Sequence, residues 1–242
     1  MKVFGAIYGV WCGVMVAFFY LLTYPFSWLF IQFKFTYPAA HFMNRVWGVL
    51  VHFFNCLIIV RNNYYKPKGP VIYVSNHTSY LDISTMFLIL PGYFSIIGKS
   101  ALGKVPLFGP MFRKLYITVD RRSKESRLKS YTDSLEAIDQ GRSLFIFPEG
   151  TIPDKGAPKM SKFKDGAFKI AIEKQIPIVP ISFPYNWIIL PDSNFLGAKW
   201  HWISMNFHPQ IETKGLTDAN ASKLKDDVYD IIQKDINKHN KL

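Results

Sequence analysis

The first sixty residues contain no Asp or Glu, and their only charges are Lys2, Lys34 and Arg45. From Val3 to Phe33 no side chain carries a charge at all. A run of about 20 apolar helical residues suffices to cross a bilayer, so Val3–Tyr24 meets that length. It lacks the marks of a secretory leader, because only Met1-Lys2 precede it and no small-x-small site follows. Pro25 is expected to break the helix. A second apolar stretch, Val46–Val60, is shorter and suits an interfacial or half-buried helix. Trp11, Tyr20, Tyr24, Trp28, Tyr37 and Trp47 fit the aromatic enrichment at membrane interfaces. Residues 1–62 thus read as a membrane-embedded helical pair around Pro25, with spanning and one-leaflet insertion both open. Basic residues after the apolar segments put the rest of the chain on the cytoplasmic side of a cell membrane.

The other 26 basic and 17 acidic residues lie in 61–242, so the body carries nine of the twelve net positive charges. A 17% aromatic content excludes a disordered basic tail. A nucleic-acid binder has no need of the apolar front, so membrane lipids are the expected partner. Two cysteines, Cys12 and Cys56, cannot build a disulfide framework, and no Cys/His spacing suggests a metal.

Residues 63–242 alternate strand and helix patterns. Strands are expected at Val71–Ser75, Tyr93–Ile97, Leu115–Val119, Ser143–Phe147, Ile178–Ser182 and Trp202–Phe207. Pro180 marks the fifth as an edge or bulged strand. Helices are expected at Ser79–Leu90, Pro106–Lys114, Lys124–Gln140, Asp165–Lys174 and Ala219–His239. In the third of these, Leu128, Tyr131, Leu135 and Ile138 should face inward. The pattern predicts an α/β domain with a mixed sheet flanked by helices.

Ligands gather at the carboxyl ends of strands in such sheets. Asn76-His77-Thr78-Ser79-Tyr80-Leu81-Asp82 follows the first strand, Asp120-Arg121-Arg122 the third, and Pro148-Glu149-Gly150-Thr151 the fourth. His77 on a loop and Asp82 in the next helical turn can converge, the carboxylate fixing the imidazole tautomer for general-base work. Ser79-x-x-Asp82 equally fits a helix cap. Gly150 allows a tight turn and close approach of a ligand. Thr151 can reach phosphate oxygens, Glu149 can hold a polyol hydroxyl or order basic neighbours, and the Arg121-Arg122 pair can take a phosphate. Lys99, Lys162 and Lys164 add positive charge near the strand ends. A serine hydrolase is disfavoured by the lack of a G-x-S-x-G elbow.

Taken in order, four blocks resemble the glycerolipid acyltransferase family, most closely the 1-acyl-sn-glycerol-3-phosphate acyltransferases. His77–Asp82 (HTSYLD) matches its H-x4-D motif, and Gly98–Arg121 its second block. Phe147–Thr151 (FPEGT) matches the third block and Val179-Pro180-Ile181 the fourth. The resemblance implies acyl transfer from acyl-CoA or acyl-carrier-protein to the sn-2 hydroxyl of lysophosphatidic acid, forming phosphatidic acid. It implies His77 as base, Asp82 as its orienter and no acyl-enzyme. Arg121, Gly150 and neighbouring groups would bind the acceptor phosphate and Glu149 would position it, with no metal or organic cofactor. Many relatives continue FPEGT with Arg-Ser, whereas Ile152-Pro153 stands here. Lys164, in Phe163-Lys164-Asp165-Gly166, is expected to compensate, and a different lyso-lipid acceptor stays open.

Overall fold

The computed structural model describes residues 2–152, 157–192 and 195–240. Seven strands form one sheet in the order β1-β7-β6-β2-β5-β3-β4. They are β1 (Ile59–Asn62), β2 (Ile72–Ser75), β3 (Ser95–Lys99), β4 (Ile117–Val119), β5 (Leu144–Ile146), β6 (Ile178–Ser182) and β7 (Ile203–Phe207). All pairs are parallel except β6 with β7, so the sheet is mixed, as expected.

Every residue of β2, β5, β6 and β7 is buried. This is the pattern of strands covered on both faces. Ile72 and Val74 point into one apolar layer with Leu144, Ile146 and Ile178. That layer is closed by α5 (Lys124–Asp139), α6 (Gly166–Lys174) and α8 (Ala221–Asn240). Val71, Tyr73, Phe145, Val179 and Ile181 point into the other. There they meet α2 (Tyr37–Phe54), α3 (Leu81–Ile89) and α4 (Phe108–Leu115).

Four expectations are corrected. First, α1 (Lys2–Phe30) runs through Pro25 without breaking. Pro25 sits on the exposed side between buried Thr23 and Ser27, so its ring displaces no packed neighbour. Second, the apolar run Val46–Val60 is not one helix. α2 ends at Phe54, Cys56 turns the chain at φ 52°, and Ile59–Asn62 becomes the edge strand β1 against β7. The boundary expected between residues 62 and 63 therefore falls at the end of a strand of the sheet. Third, Leu128 is 66% exposed. The other three stripe residues do face inward, Ile138 buried and Tyr131 and Leu135 packed against the same layer, and Ser130, Ser134 and Ala137 beside them are small enough to let the helix approach closely. Fourth, β6 is interior rather than an edge. Ile178 pairs with Ile211 and Ile181 with Phe207, so the partner has one more residue than β6 in this interval. The resulting bulge lies opposite Pro180, which has no N–H to give, and His208 N–H still donates to the Pro180 carbonyl at 3.0 Å.

α1 is about 43 Å long at 1.5 Å per residue and is docked along the body from end to end. Gly5 abuts the Ala198 carbonyl, leaving no space for a Cβ. Tyr8 Oη and Trp11 Nε1 donate to the carbonyls of Asn55 and Phe54, and Trp47 Nε1 donates to that of Val16. Lys114 Nζ holds the Ile31 carbonyl just past the far end. The opposite face of α1, from Phe4 through Val14 and Phe18 to Leu29, is apolar and exposed. Val3–Phe30 is long and apolar enough to cross a membrane.

Candidate active site

β2 ends at Ser75, and the next residues make a fixed loop before α3 begins at Leu81. Asn76 is fully buried and pins the loop. Its side-chain N–H donates to the Phe183 carbonyl at 3.0 Å, and its Oδ1 accepts the Phe183 N–H at 2.8 Å. His77 follows, its ring stacked on Phe147 at 3.8 Å with an interplanar angle of 12°.

His77 Nδ1 lies 2.9 Å from Asp82 Oδ2. An acceptor there requires the proton on Nδ1, which leaves Nε2 as the lone-pair nitrogen. Asp82 is fully buried. Its Oδ2 also accepts the N–H groups of Thr78 at 2.8 Å and Ser79 at 3.0 Å. Its Oδ1 accepts from Asn186 Nδ2 at 2.7 Å. The cap and the His–Asp pair that the sequence offered as alternatives therefore coexist in one carboxylate. Ser79 Oγ donates to the Leu190 carbonyl and accepts from Leu81 N–H. It is fully buried and committed to the fold.

Glu149 is not where the expectation put it. At 3% exposure, both its oxygens are taken by backbone, Oε1 by His77 N–H at 2.9 Å and Oε2 by Ser161 N–H at 2.7 Å. It staples the His77 loop to the segment after the Pro148–Thr151 turn and offers no oxygen to a polyol. Burial pushes its carboxyl up to about 7, against the opposing pull of those two N–H donors.

Gly150 has φ +82°, in the region that favours glycine. A Cβ there would lie 3.0 Å from Lys164 Nζ and 3.1 Å from Arg121 Cζ. Both cations thus converge over the bare glycine, and neither forms an ion pair with a carboxylate among the described residues. Burial lowers the Arg121 pKa, and burial with the Arg121 charge lowers that of Lys164. Two cations held together this way can take an anion between them.

A cavity of about 470 Å³ opens here, lined by Arg121, Gly150 and Lys164 together with apolar Ile97, Val119 and Phe147. Phe147 lines the cavity and also stacks on the ring of His77, which is not itself among the lining residues. Lys99 is exposed at the end of β3, and neither Lys99 nor Thr151 lines the cavity. Thr151 Oγ donates to the Ile152 carbonyl. Arg122 and Lys162 are exposed, and Pro153 lies outside the described residues. Among the described residues no group of three His, Cys, Asp or Glu side chains is arranged to hold a metal ion.

Sequence reasoning missed Asn186 and Ser161, and it placed Phe147 in its block without giving it a role. The strand-end logic that found His77 would have reached Asn186 if extended past β6, whose carboxyl end leads directly into Phe183–Asn186. No sequence signal marks Ser161, because only its backbone acts.

The arrangement suits a group-transfer enzyme that activates a hydroxyl of its substrate beside a site for that substrate's negative charge. Comparison with known proteins agrees. The acyltransferase family profile matches residues 57–184, and the chain belongs to that family. A 1-acyl-sn-glycerol-3-phosphate acyltransferase of Chlamydomonas reinhardtii is 33% identical over 65% of this chain and 48% of its own length. The chloroplastic enzyme of the same description from Arabidopsis thaliana is 30% identical over 77% of this chain and 53% of its own. That of Saccharomyces cerevisiae is 36% identical over 69% and 56%. The chain spans about half the length of the curated relatives it matches. The crystal structure of PlsC, the 1-acyl-sn-glycerophosphate acyltransferase of Thermotoga maritima, superposes with a TM-score of 0.76. That match covers 99% of this chain and 98% of the other at 18% identity, so the two share a fold.

Proposed function

We propose that this protein acylates the sn-2 hydroxyl of lysophosphatidic acid, using acyl-CoA or acyl-carrier-protein, to make phosphatidic acid. His77 Nε2 takes the hydroxyl proton while Asp82 holds the ring. The oxygen attacks the thioester carbonyl, the new C–O ester bond forms, and the C–S bond breaks. The departing thiolate recovers the proton from His77. The step as written consumes no metal or organic cofactor, and Ser79, committed to Leu190, is not a nucleophile for a hydrolase. Arg121 and Lys164 take the acceptor phosphate.

The observation that carries this reading is a backbone-held His–Asp pair whose imidazole stacks on Phe147, a lining residue of the cavity where two cations without a carboxylate partner among the described residues converge. The relatives' descriptions as 1-acyl-sn-glycerol-3-phosphate acyltransferases support the choice of acceptor. The exposed apolar face of α1 is the membrane contact. A helix docked lengthwise on the body lies in one leaflet of a cell membrane, with the active site on the cytoplasmic side where thioester donors occur.

The test is acyl transfer by the detergent-purified full chain with lysophosphatidic acid and each donor, with phosphatidic acid read by mass spectrometry. His77→Ala should keep no more than a few per cent of the rate. A variant retaining most of it would remove His77 as the base.

A further inference from the structure

The cavity that takes Arg121 and Lys164 has a third cation in its lining, Arg127, from the first turn of α5. None of the four blocks that resemble the family contains it. Arg127 NH1 donates to the Arg121 carbonyl at 2.7 Å, tying the start of α5 to the residue that leans over Gly150. That bond uses one arm of a five-donor fork. Arg127 forms no ion pair with a carboxylate among the described residues. No Asp or Glu is among the described lining residues.

Three cations with no facing anion among the described lining residues repel one another, and the Arg121 and Lys164 head groups, 3.1 and 3.0 Å from the same point above Gly150, lie within about 6 Å of each other. A single negative charge leaves two of the three uncompensated. The lining therefore complements a dianion better than a monoanion.

Resting on the acyltransfer reading, we infer that Arg127 is a specificity residue that selects acceptors with a dianionic phosphomonoester headgroup over those with a monoanionic phosphodiester. Coulomb attraction scales with the product of charges. Removing one cation should therefore cost the dianion about twice the free energy it costs the monoanion. A loss of about tenfold on one corresponds to about threefold on the other.

The experiment measures KM and kcat of the full chain and of Arg127→Gln and Arg127→Lys in detergent, with lysophosphatidic acid and lysophosphatidylglycerol. Arg127→Gln should raise KM for lysophosphatidic acid about tenfold and for lysophosphatidylglycerol about threefold, with kcat within twofold. Arg127→Lys, which keeps the charge but not the fork, should stay within about threefold of the parent on both. Equal losses on the two acceptors, unchanged KM values, or an Arg127→Lys as impaired as Arg127→Gln would each overturn the assignment. The last outcome would mean that Arg127 matters only for its grip on the Arg121 carbonyl. Calorimetric titration with sn-glycerol 3-phosphate, against glycerol at matched ionic strength, reads the same site without turnover. Binding that weakens about tenfold in Arg127→Gln supports the inference. If the parent showed such binding yet acylated neither lipid, the acyltransfer reading would fall and the dianion site would stand. If the parent bound glycerol 3-phosphate no better than glycerol, the dianion site would fall.

Discussion

Replacing Glu149 with glutamine separates a buried staple from a substrate ligand. In the folded chain the carboxyl is pushed up from 4.5 to about 7 by burial. At about 1.4 kcal/mol per unit of pKa, ionising it inside the fold costs about 3 kcal/mol more than ionising it in the unfolded chain. The sign follows from which state binds the proton. Below pH 4.5 both states are protonated and nothing is lost. As pH rises through the interval up to about 7, the unfolded chain gives up its proton first, so stability falls, and it levels off above that. Glu149→Gln has no proton to lose. Its amide, however, turns an N–H towards one of the two backbone donors, His77 or Ser161, at a cost of about 1–3 kcal/mol. The variant should therefore be less stable than the parent at pH 5 and as stable or more so at pH 8. The difference should move by about 2–3 kcal/mol in its favour between those pH values. Urea unfolding of the detergent-solubilised chains, followed by tryptophan fluorescence, measures this. Comparing the two proteins at each pH cancels the other titrating groups. A difference that stays constant with pH, or grows against the variant as pH rises, would refute the reasoning. Catalytic rate should fall at least about tenfold at both pH values, because the loop carrying His77 loses one end of its staple.

Three further outcomes follow from the same geometry. Asn186→Leu removes the donor to Asp82 Oδ1 and should cut kcat about tenfold or more with KM within about twofold, read by steady-state kinetics. Gly150→Ala meets both an unfavourable φ of +82° and the Lys164 and Arg121 head groups. It should cost about 1 kcal/mol of stability and raise KM for the acceptor while sparing kcat. Phe4→Ser with Phe18→Ser removes two exposed apolar side chains of α1, 79% and 54% exposed. At about 1.5–3 kcal/mol of transfer free energy each, co-sedimentation with lipid vesicles should weaken by at least about tenfold, while thermal unfolding in detergent shifts little.

What could be read from the chain divides by the range of the interaction. The strands of the sheet announced themselves because strands buried on both faces are continuous apolar runs, as in Val71–Ser75 and Ser143–Phe147. β1 did not, because the apolar run of α2 continues into it and only Cys56, at φ 52°, turns the chain between. Pro180 correctly signalled an irregular pairing but not its place. The bulge sits in residues 207–211, on the partner, because the protein solved the missing donor by adapting the neighbour and keeping β6 inside the sheet. Leu128 misled because a helix stripe was judged by its largest apolar residues. α5 packs through Tyr131, Leu135 and Ile138 of that stripe together with Ser130, Ser134 and Ala137, where small size permits close approach.

The site shows the same division more sharply. His77 and Asp82 are five residues apart, and their convergence followed from a loop entering a helix. Asn186 lies 104 residues from Asp82, and the His77 and Ser161 N–H groups that hold Glu149 come from 72 and 12 residues away. No local pattern encodes such partners. A carboxylate in a strand-end cluster invites a role towards the ligand. Whether it has one depends on what its oxygens face, not on how many donors the fold already gives them. Glu149 has a backbone donor on each oxygen and is structural. Asp82 has three backbone or amide donors as well, two of them on Oδ2, and that same oxygen faces His77 Nδ1 at 2.9 Å. Arg121 and Lys164 are the converse, charges for which the described protein supplies no counter-ion. On the proposed reading, the acceptor's phosphate supplies the missing charge. A substitution at Glu149 should therefore show itself in stability against pH, and one at Arg121 in KM for an anionic acceptor.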